Sequence, residues 1–568
     1  MSLLGRKWRI LAEKEHGVDV FEQFLHNRQV QANLALEQFL NPDLEALFDP
    51  FLFKDMAKAV ARIRAAVSAQ EKIIVFGDYD VDGITATALV VKIIRKLGGL
   101  VSYRLPHRVN DGYGLKAKFV EDAKAVGATL LITVDCGISC PAEIELAKNL
   151  GIDVILTDHH QIPANYPEAA FAILHPKMPG DSYPEPELTG AGVAFKLAQA
   201  LLLDLGLSSE EFAEALLDFA GLAALGTVAD CAPLVGENRI IVAQGLKSLA
   251  QSHDPGIRAL LAVSGIDLAD GKMVRSQHLG FSLAPRINAA GRIDDPYFAL
   301  QLLLAADEQK ANKLAAKLNQ LNLERQKLTR DAVSEAEAEA LVLFDEGKRV
   351  LVVGSPDWHP GIVGLIAGNL AQKYSLPVLA LHEHDGSLVG SARGPVGFDW
   401  ARALSQHGHF FDRFGGHMQA AGLTMPKDNL DAFKRALNAY MDEEYAGAIF
   451  ATDLLIDLAV DLSDLSLAFF ELLNQLEPFG IGNEEPLFLL RDVLLTEVKW
   501  VSDGKHLLGR VSSADCPEGI KFVQFGASSN LLALKPGQKL NLVARIEQNQ
   551  YRGKTSLELR AVDYQIVD

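Results

Sequence analysis

Hydrophobic and polar positions follow three different rhythms along the chain, and each predicts its own architecture. Up to about Ala69 apolar residues recur at helical spacing. Phe21 and Phe24 come first, then Leu34, Leu36 and Phe39; Asn41-Pro42 breaks the chain, and small and apolar residues resume from Asp55 to Ala66. From Glu71 to about Asp230 short apolar runs alternate with helix-like ones, the signature of a largely parallel sheet. From Asp307 to Leu341 no Gly or Pro interrupts a mostly polar stretch, with Leu314, Leu318, Leu321 and Leu328 near one face. A helix polar on most sides bridges domains. A coiled-coil dimer is the rival reading, for which the apolar stripe is short and ragged. Strand and helix signals return at Arg349 to Gly354, and beyond about Thr452 short alternating strands are separated by Asp503-Gly504, Pro536-Gly537 and Arg552-Gly553. That spacing suits a small barrel of the OB type.

The expected fold class is therefore α/β: a parallel-sheet domain, a long connecting helix, a second smaller α/β domain and a C-terminal OB-fold β-barrel. The expected bounds are 1–69 for a helical segment packing on the parallel-sheet domain, then 70–305, 306–343, 344–448 and 452–568. A chain of 568 residues is too long for one core.

Composition changes this picture little. The four cysteines, Cys136, Cys140, Cys231 and Cys516, fit neither a zinc pattern nor a disulfide framework, and Cys136 and Cys231 read as small buried residues. With no signal-like N-terminus and no run approaching about 18 apolar residues, the expectation is a cytoplasmic protein without membrane contact. The net charge of −19 weighs against nucleic acid. A sum over several domains nevertheless hides a local basic groove, and an acidic metal site adds negative charge that bound cations offset.

The chemistry concentrates where the predicted strands end. Ile73-Ile74-Val75-Phe76 runs into Gly77-Asp78-Tyr79-Asp80-Val81-Asp82-Gly83, with three carboxylates in five residues. Such crowding calls for a divalent cation with hard oxygen ligands, although a solvated turn capping the next helix would explain this stretch alone. The strand Leu130 to Val134 ends in Asp135-Cys136-Gly137, and Val154 to Thr157 ends in Asp158-His159-His160. Parallel strands point all three ends to one edge, where α/β sheets place ligands. A lone Asp230 closes the small, apolar run Ala220 to Ala229, as a ligand or as a turn residue.

In order, Asp-Tyr-Asp-Val-Asp-Gly, Val-Asp-Cys-Gly, Asp-His-His and Gly-Thr-Val-Ala-Asp resemble the four motifs of the DHH phosphoesterase superfamily, and their wording is most similar to that of the RecJ single-stranded-DNA exonucleases. The resemblance covers the chain from about Phe51 to its end. It implies that residues 70–305 are a DHH domain facing a DHH-associated domain (344–448) across a cleft. It implies catalytic roles for Asp80, Asp82, Asp135, His159, His160 and Asp230. Asp80 and Asp82 would hold two different metals bridged by Asp135, with His159 and Asp230 completing the ligand set of the second metal and Asp78 helping the first. His160 would face the substrate phosphate. Two Mg²⁺ or Mn²⁺ ions can activate a water and hold the scissile phosphate.

Basic residues elsewhere are candidates for the nucleic-acid backbone. Arg108 lies in a loop with Tyr113; Arg286 and Asn288 lie in Pro285-Arg286-Ile287-Asn288-Ala289-Ala290-Gly291-Arg292, where Arg286 either forks onto a phosphate or braces Asp294-Asp295. Ser391, Arg393 and the His417 of Gly415-Gly416-His417 match the DHH-associated signature. Trp500, Tyr551 and Arg552 mix aromatic and basic groups, as a single-strand platform requires. The implied function is hydrolysis of single-stranded DNA from the 5′ end to 5′-mononucleotides in recombination and repair. A monomer is expected to work with a helicase and a single-strand-binding protein. A DHH hydrolase of short oligoribonucleotides or cyclic dinucleotides, and a non-catalytic DNA-binding scaffold, are the alternatives.

Overall fold

The computed structural model describes residues 2–15, 17–28, 34–108, 110–268, 273–448, 450, 453–527, 529–551 and 554–567. Arg552 and the expected boundary at Thr452 lie outside these residues.

Five parallel strands form the first sheet, in the order Leu100–Arg104, Lys72–Gly77, Ala128–Val134, Asp153–Thr157, Ala172–Leu174. The inner strands Lys72–Gly77, Ala128–Val134 and Asp153–Thr157 are almost continuously apolar, as burial on both faces requires, whereas the edge strand Leu100–Arg104 is partly exposed. Helix Val81–Lys96 is buried along almost its whole length and packs against helices Gly190–Leu203 and Ser209–Ala229. All three are apolar nearly all round, as a helix enclosed by other helices must be. By length and composition Ser209–Ala229 could cross a membrane; Glu214 and Asp218 interrupt its apolar run, so a count of consecutive apolar residues misses it. In this structure 61% of its most apolar window is buried, and it packs against Gly190–Leu203 and Gly236–Gln251.

The connecting helix spans Glu308–Asp345, capped by Asp307, whose carboxylate accepts the Lys310 N–H at 2.7 Å. Its 38 residues reach about 57 Å. It buries two separate stripes. Ala311, Ala315, Leu318 and Leu321 pack into the catalytic core, and Ala332, Ala336 and Ala340 into the second unit. Between the two stripes Arg325 lines a cavity beside the catalytic unit, and Leu328 already packs on the second unit's core. The second unit has strand order Arg413–Gly416, Ala420–Pro426, Ser387–Arg393, Val378–His384, Leu351–Ser355, with only the last pair parallel.

The C-terminal sheet runs Leu458–Val460, Phe488–Val501, His506–Ser512, Ile520–Phe525, Lys554–Val567, Lys539–Tyr551, and pairing of Phe488–Val501 with Lys539–Tyr551 closes it into a barrel. Buried Arg239 joins the barrel to the catalytic unit: its guanidinium donates to the carbonyls of Leu476, Glu477 and Phe39 at 2.9 Å each.

The N-terminal segment departs from expectation. Residues 44–68 pack on the catalytic core, but the segment before them belongs to the barrel. Strand Trp8–Ile10 pairs with Leu454–Ile456, Phe24 and Leu25 enter the barrel core, and the Trp8 indole donates to Asp563 at 2.9 Å. Amphipathic faces at helical spacing say that a partner exists, without saying which one.

Candidate metal centre and the cleft around it

The sheet register builds the site. Gly77, Val134 and Thr157 are neighbours across three strands, so the next residues, Asp78, Asp135 and Asp158, emerge side by side at the carboxyl edge. Strands lie about 4.8 Å apart, so three carboxylates on adjacent ends crowd one another. Asp80 caps helix Val81–Lys96, accepting the Gly83 N–H at 3.1 Å, and Asp82 lies in the first turn. Asp82 accepts N–H groups of Gly190 (2.7 Å) and Ala191 (3.0 Å), so a second helix points its positive end at that carboxylate.

Two glycines make this approach possible. A Cβ on Gly190 would stand 2.4 Å from Asp135 Cβ, and one on Gly226 would stand 2.5 Å from Asp82 Oδ1. Asp135 itself has a φ of 58°, a left-handed conformation that costs a non-glycine residue about 1–2 kcal/mol. Cys231, directly after Asp230, has a φ of 61°. It is exposed, contrary to the sequence reading, because helix Ser209–Ala229 ends one residue before Asp230.

The ligand atoms fall into overlapping groups, each within 4.8 Å: Asp78, Asp80 and Asp135; Asp82, His159 and Asp230; Asp135, His159 and His160. His159 Nε2 lies 3.1 Å from Asp135 Oδ1, 3.7 Å from Asp82 and 3.8 Å from Asp230, so Asp135 stands between the first two groups. The electrostatics are those of a site short of positive charge. Burial and then the charge of Asp80 push Asp78 well above the ordinary carboxylate range. Burial and the charges of Asp82 and Asp80 do the same to Asp135. Burial and Asp80 raise Asp82 to about 6; burial, then Asp82 and Asp80, raise Asp230 to about 8. The buried Oδ1 atoms of Asp78 and Asp135 accept no hydrogen bond among the described residues. Buried polar groups are ordinarily paired, and hard oxygens joined by one imidazole suit a pair of divalent cations such as Mg²⁺ or Mn²⁺. Burial holds His159 down at about 3, leaving the neutral imidazole that ligation needs.

His160 behaves oppositely. Burial works against its charge, but the Asp158 hydrogen bond (2.8 Å) and carboxylate raise it to about 9. Asp158 stays ionised at about 2 despite burial, because His160 and the Ile138 N–H hold it. Sequence reasoning passed over Asp158 as an orienting group. Tyr113, named from the sequence only as the aromatic of the Arg108 loop, places its hydroxyl 3.2 Å from His160 Nδ1.

The basic side of the cleft differs from expectation at one key residue. Arg286 does not face it: its guanidinium donates to Asn319 Oδ1 (3.0 Å) and to the carbonyls of Ser282 (2.7 Å) and Val263 (3.2 Å). The arginine of that motif that turns inward is Arg292. Burial, then the charges of Arg108, Arg325 and Arg393, lower it to about 9. Arg108 stacks over the Tyr79 ring at 4.2 Å, and its Nε has no partner among the described residues. Arg393 donates to Ser391 Oγ at 2.9 Å, and Arg325 to Asn322 Oδ1 at 3.0 Å. Among the described residues none of these four arginines pairs with a carboxylate. Arg292 and Asn288 line a cavity of about 560 Å³ beside Cys231. His417 stands exposed at the turn between Arg413–Gly416 and Ala420–Pro426. Trp500 is half-buried, packed against the barrel core. Tyr551 ends strand Lys539–Tyr551.

This edge, on this sheet, defines a DHH phosphoesterase. The models of the DHH family N-terminal domain and of the DHHA1 domain match residues 72–227 and 347–443. The RecJ OB domain model matches residues 456–563. The single-stranded-DNA-specific exonuclease RecJ of Bacillus subtilis (strain 168) is 35% identical over 567 residues, covering 98% of this chain and 69% of that protein. RecJ of Thermus thermophilus, solved in complex with Mn²⁺, superposes with a TM-score of 0.82 at 30% identity, covering 99% of this chain and 80% of that one. The same protein with Mg²⁺ gives 0.76 at 29% identity, covering 99% and 79%. The chain belongs to the RecJ family of single-stranded-DNA-specific exonucleases.

Proposed function

We propose that this protein is a metal-dependent exonuclease that hydrolyses single-stranded DNA from the 5′ end and releases 5′-mononucleotides in recombination and repair. The observation that supports the reading is the pair of ligand groups with Asp135 between them, opposite four arginines that lack carboxylate partners among the described residues. Asp78, Asp80 and Asp135 would hold one Mg²⁺ or Mn²⁺, and Asp82, His159 and Asp230, with Asp135 nearby, the other. Such a pair would supply a water of lowered pKa and positive charge beside the phosphate oxygens.

The chain's own groups do the positioning. His160, kept charged by Asp158, donates to a phosphate oxygen. Arg108 and Arg393 hold the backbone phosphate, with Ser391 fixing Arg393, and Arg292 neutralises the neighbouring one. The strand continues past Asn288 to the barrel, where Tyr551 and Arg552 extend the contact. A monomer acting in the cytoplasm, supplied with single strands by a helicase and a single-strand-binding protein, fits this chemistry.

Digestion of 5′- and 3′-labelled single strands with Mg²⁺ and with Mn²⁺ tests the reading. Immediate release of the 5′ label as a mononucleotide, stopped by EDTA, is expected. Hydrolysis of cyclic dinucleotides or short oligoribonucleotides in preference to DNA would replace it with the other DHH activity.

A further inference from the structure

Phe281 is the most exposed large apolar side chain among the described residues, at 84%. It sits in a π-helical segment, Leu279–Leu283, just before helix Ala284–Ile293. Such insertions break the regular hydrogen-bond ladder and recur at functional sites. Within this segment Leu279 and Leu283 are buried, and the Phe281 ring between them stands in the open.

The ring opens onto the 560 Å³ cavity whose wall includes Val228, Ala229 and Cys231, on both sides of Asp230. Ile481, 50% exposed, lines the same cavity from the loop that leads into the barrel. Both residues are tied to the segment carrying Asp230. Segment Leu279–Leu283 packs against helix Ser209–Ala229, and the Leu234 N–H donates to the Ile481 carbonyl at 2.7 Å. Arg292, Arg325 and Arg545 line the cavity as well, and the first two have no carboxylate partner among the described residues. Glu485 pairs with Arg545 at 3.1 Å. Apolar faces flanked by arginines match a nucleotide, whose base is flat and apolar and whose phosphate is anionic.

We propose that Phe281 stacks on one unpaired base of the substrate strand, against Ile481, at a fixed distance from the scissile phosphate. The inference rests on the exonuclease reading and adds a residue that holds the strand in register. Stacking of this kind is worth roughly 5- to 100-fold in binding per base.

Single strands carrying one abasic nucleotide at successive positions from the digested end test it with the full-length protein and Mn²⁺. The wild type is expected to lose roughly 5- to 100-fold in kcat/KM at one register only. Phe281→Ala is expected to lose the same factor on unmodified strands and to be indifferent to the abasic register. Phe281→Tyr and Phe281→Trp are expected to restore both behaviours, and melting temperatures to stay unchanged because the ring packs on little. Register-specific sensitivity that persists in Phe281→Ala, or a wild type indifferent to every abasic position, would overturn the assignment. Unmodified strands left intact by the wild type would instead count against the exonuclease reading itself.

Discussion

At and beside the sheet edge, six aspartates and two histidines lie within a few ångströms with too little positive charge among them; across the cleft, four guanidiniums converge and, among the described residues, pair with no carboxylate. The acidic wall is held by secondary structure, because its carboxylates sit at strand ends, at the start of helix Val81–Lys96 and at the end of helix Ser209–Ala229. Asp82 is held by two backbone N–H groups, and Asp158 by Ile138, His159 and His160. The basic wall is assembled from distant segments, and neutral groups orient its side chains: Ser391, Asn322, the Tyr79 ring and the Gly361 carbonyl. Opposite charges this close would neutralise one another if they touched. Backbone and neutral side chains keep the walls apart, so each is left to neutralise something that is not protein: cations on one side, phosphates on the other.

The comparison breaks most easily at Asp135. Asp135→Ala removes the one carboxylate within reach of both ligand groups, and turnover should fall on the order of 10³-fold or more. Single-strand affinity should stay within a few-fold, since the basic wall is untouched. Near-normal turnover in a single-turnover assay would sink the shared-ligand assignment.

The next effect separates two arginines of one motif. Arg292→Ala should cost roughly 100-fold in kcat/KM and flatten the salt dependence of binding by about one phosphate. Arg286→Ala should leave kcat/KM of the folded enzyme within about threefold. It should instead lower stability by about 1–3 kcal/mol, because its bonds to Asn319 and two carbonyls are structural. Denaturant titration alongside kinetics reads both; the reverse pattern would place Arg286 at the substrate.

Ligand linkage sharpens the acidic wall. Mn²⁺ at 100 times its dissociation constant should stabilise the protein by about 2.7 kcal/mol per site, and a thermal melt before and after chelation measures it. Asp135→Asn should melt higher than the wild type without metal and show little further rise with it. The smallest effect belongs to Ser391→Ala, which frees Arg393 to move and should raise KM about threefold while leaving kcat alone; a change confined to kcat would mean that Ser391 meets the reacting phosphate itself.

The sequence alone placed the acidic edge. Each apolar run predicts a buried strand, parallel strands share a direction, and whatever follows them meets at one edge, so Asp78, Asp135 and Asp158-His159-His160 come together without knowledge of the rest. The connecting helix was legible for the same local reason, since a long run without Gly or Pro has one regular conformation. The phase and partner of each element were decided only by the tertiary structure. Arg286 and Arg292 are six residues apart on one helix, about 240° around its axis, and only packing tells which one faces the cleft. The N-terminal helix carries an apolar face that either unit could have buried, and it went to the barrel. Nothing in the local sequence marks Phe281 as exposed, and only the fold shows its ring in the open. Local hydrogen bonding and period set the elements and the ends of the strands; which side chain looks into a cleft depends on contacts between residues far apart in the chain, and no short window of sequence contains them.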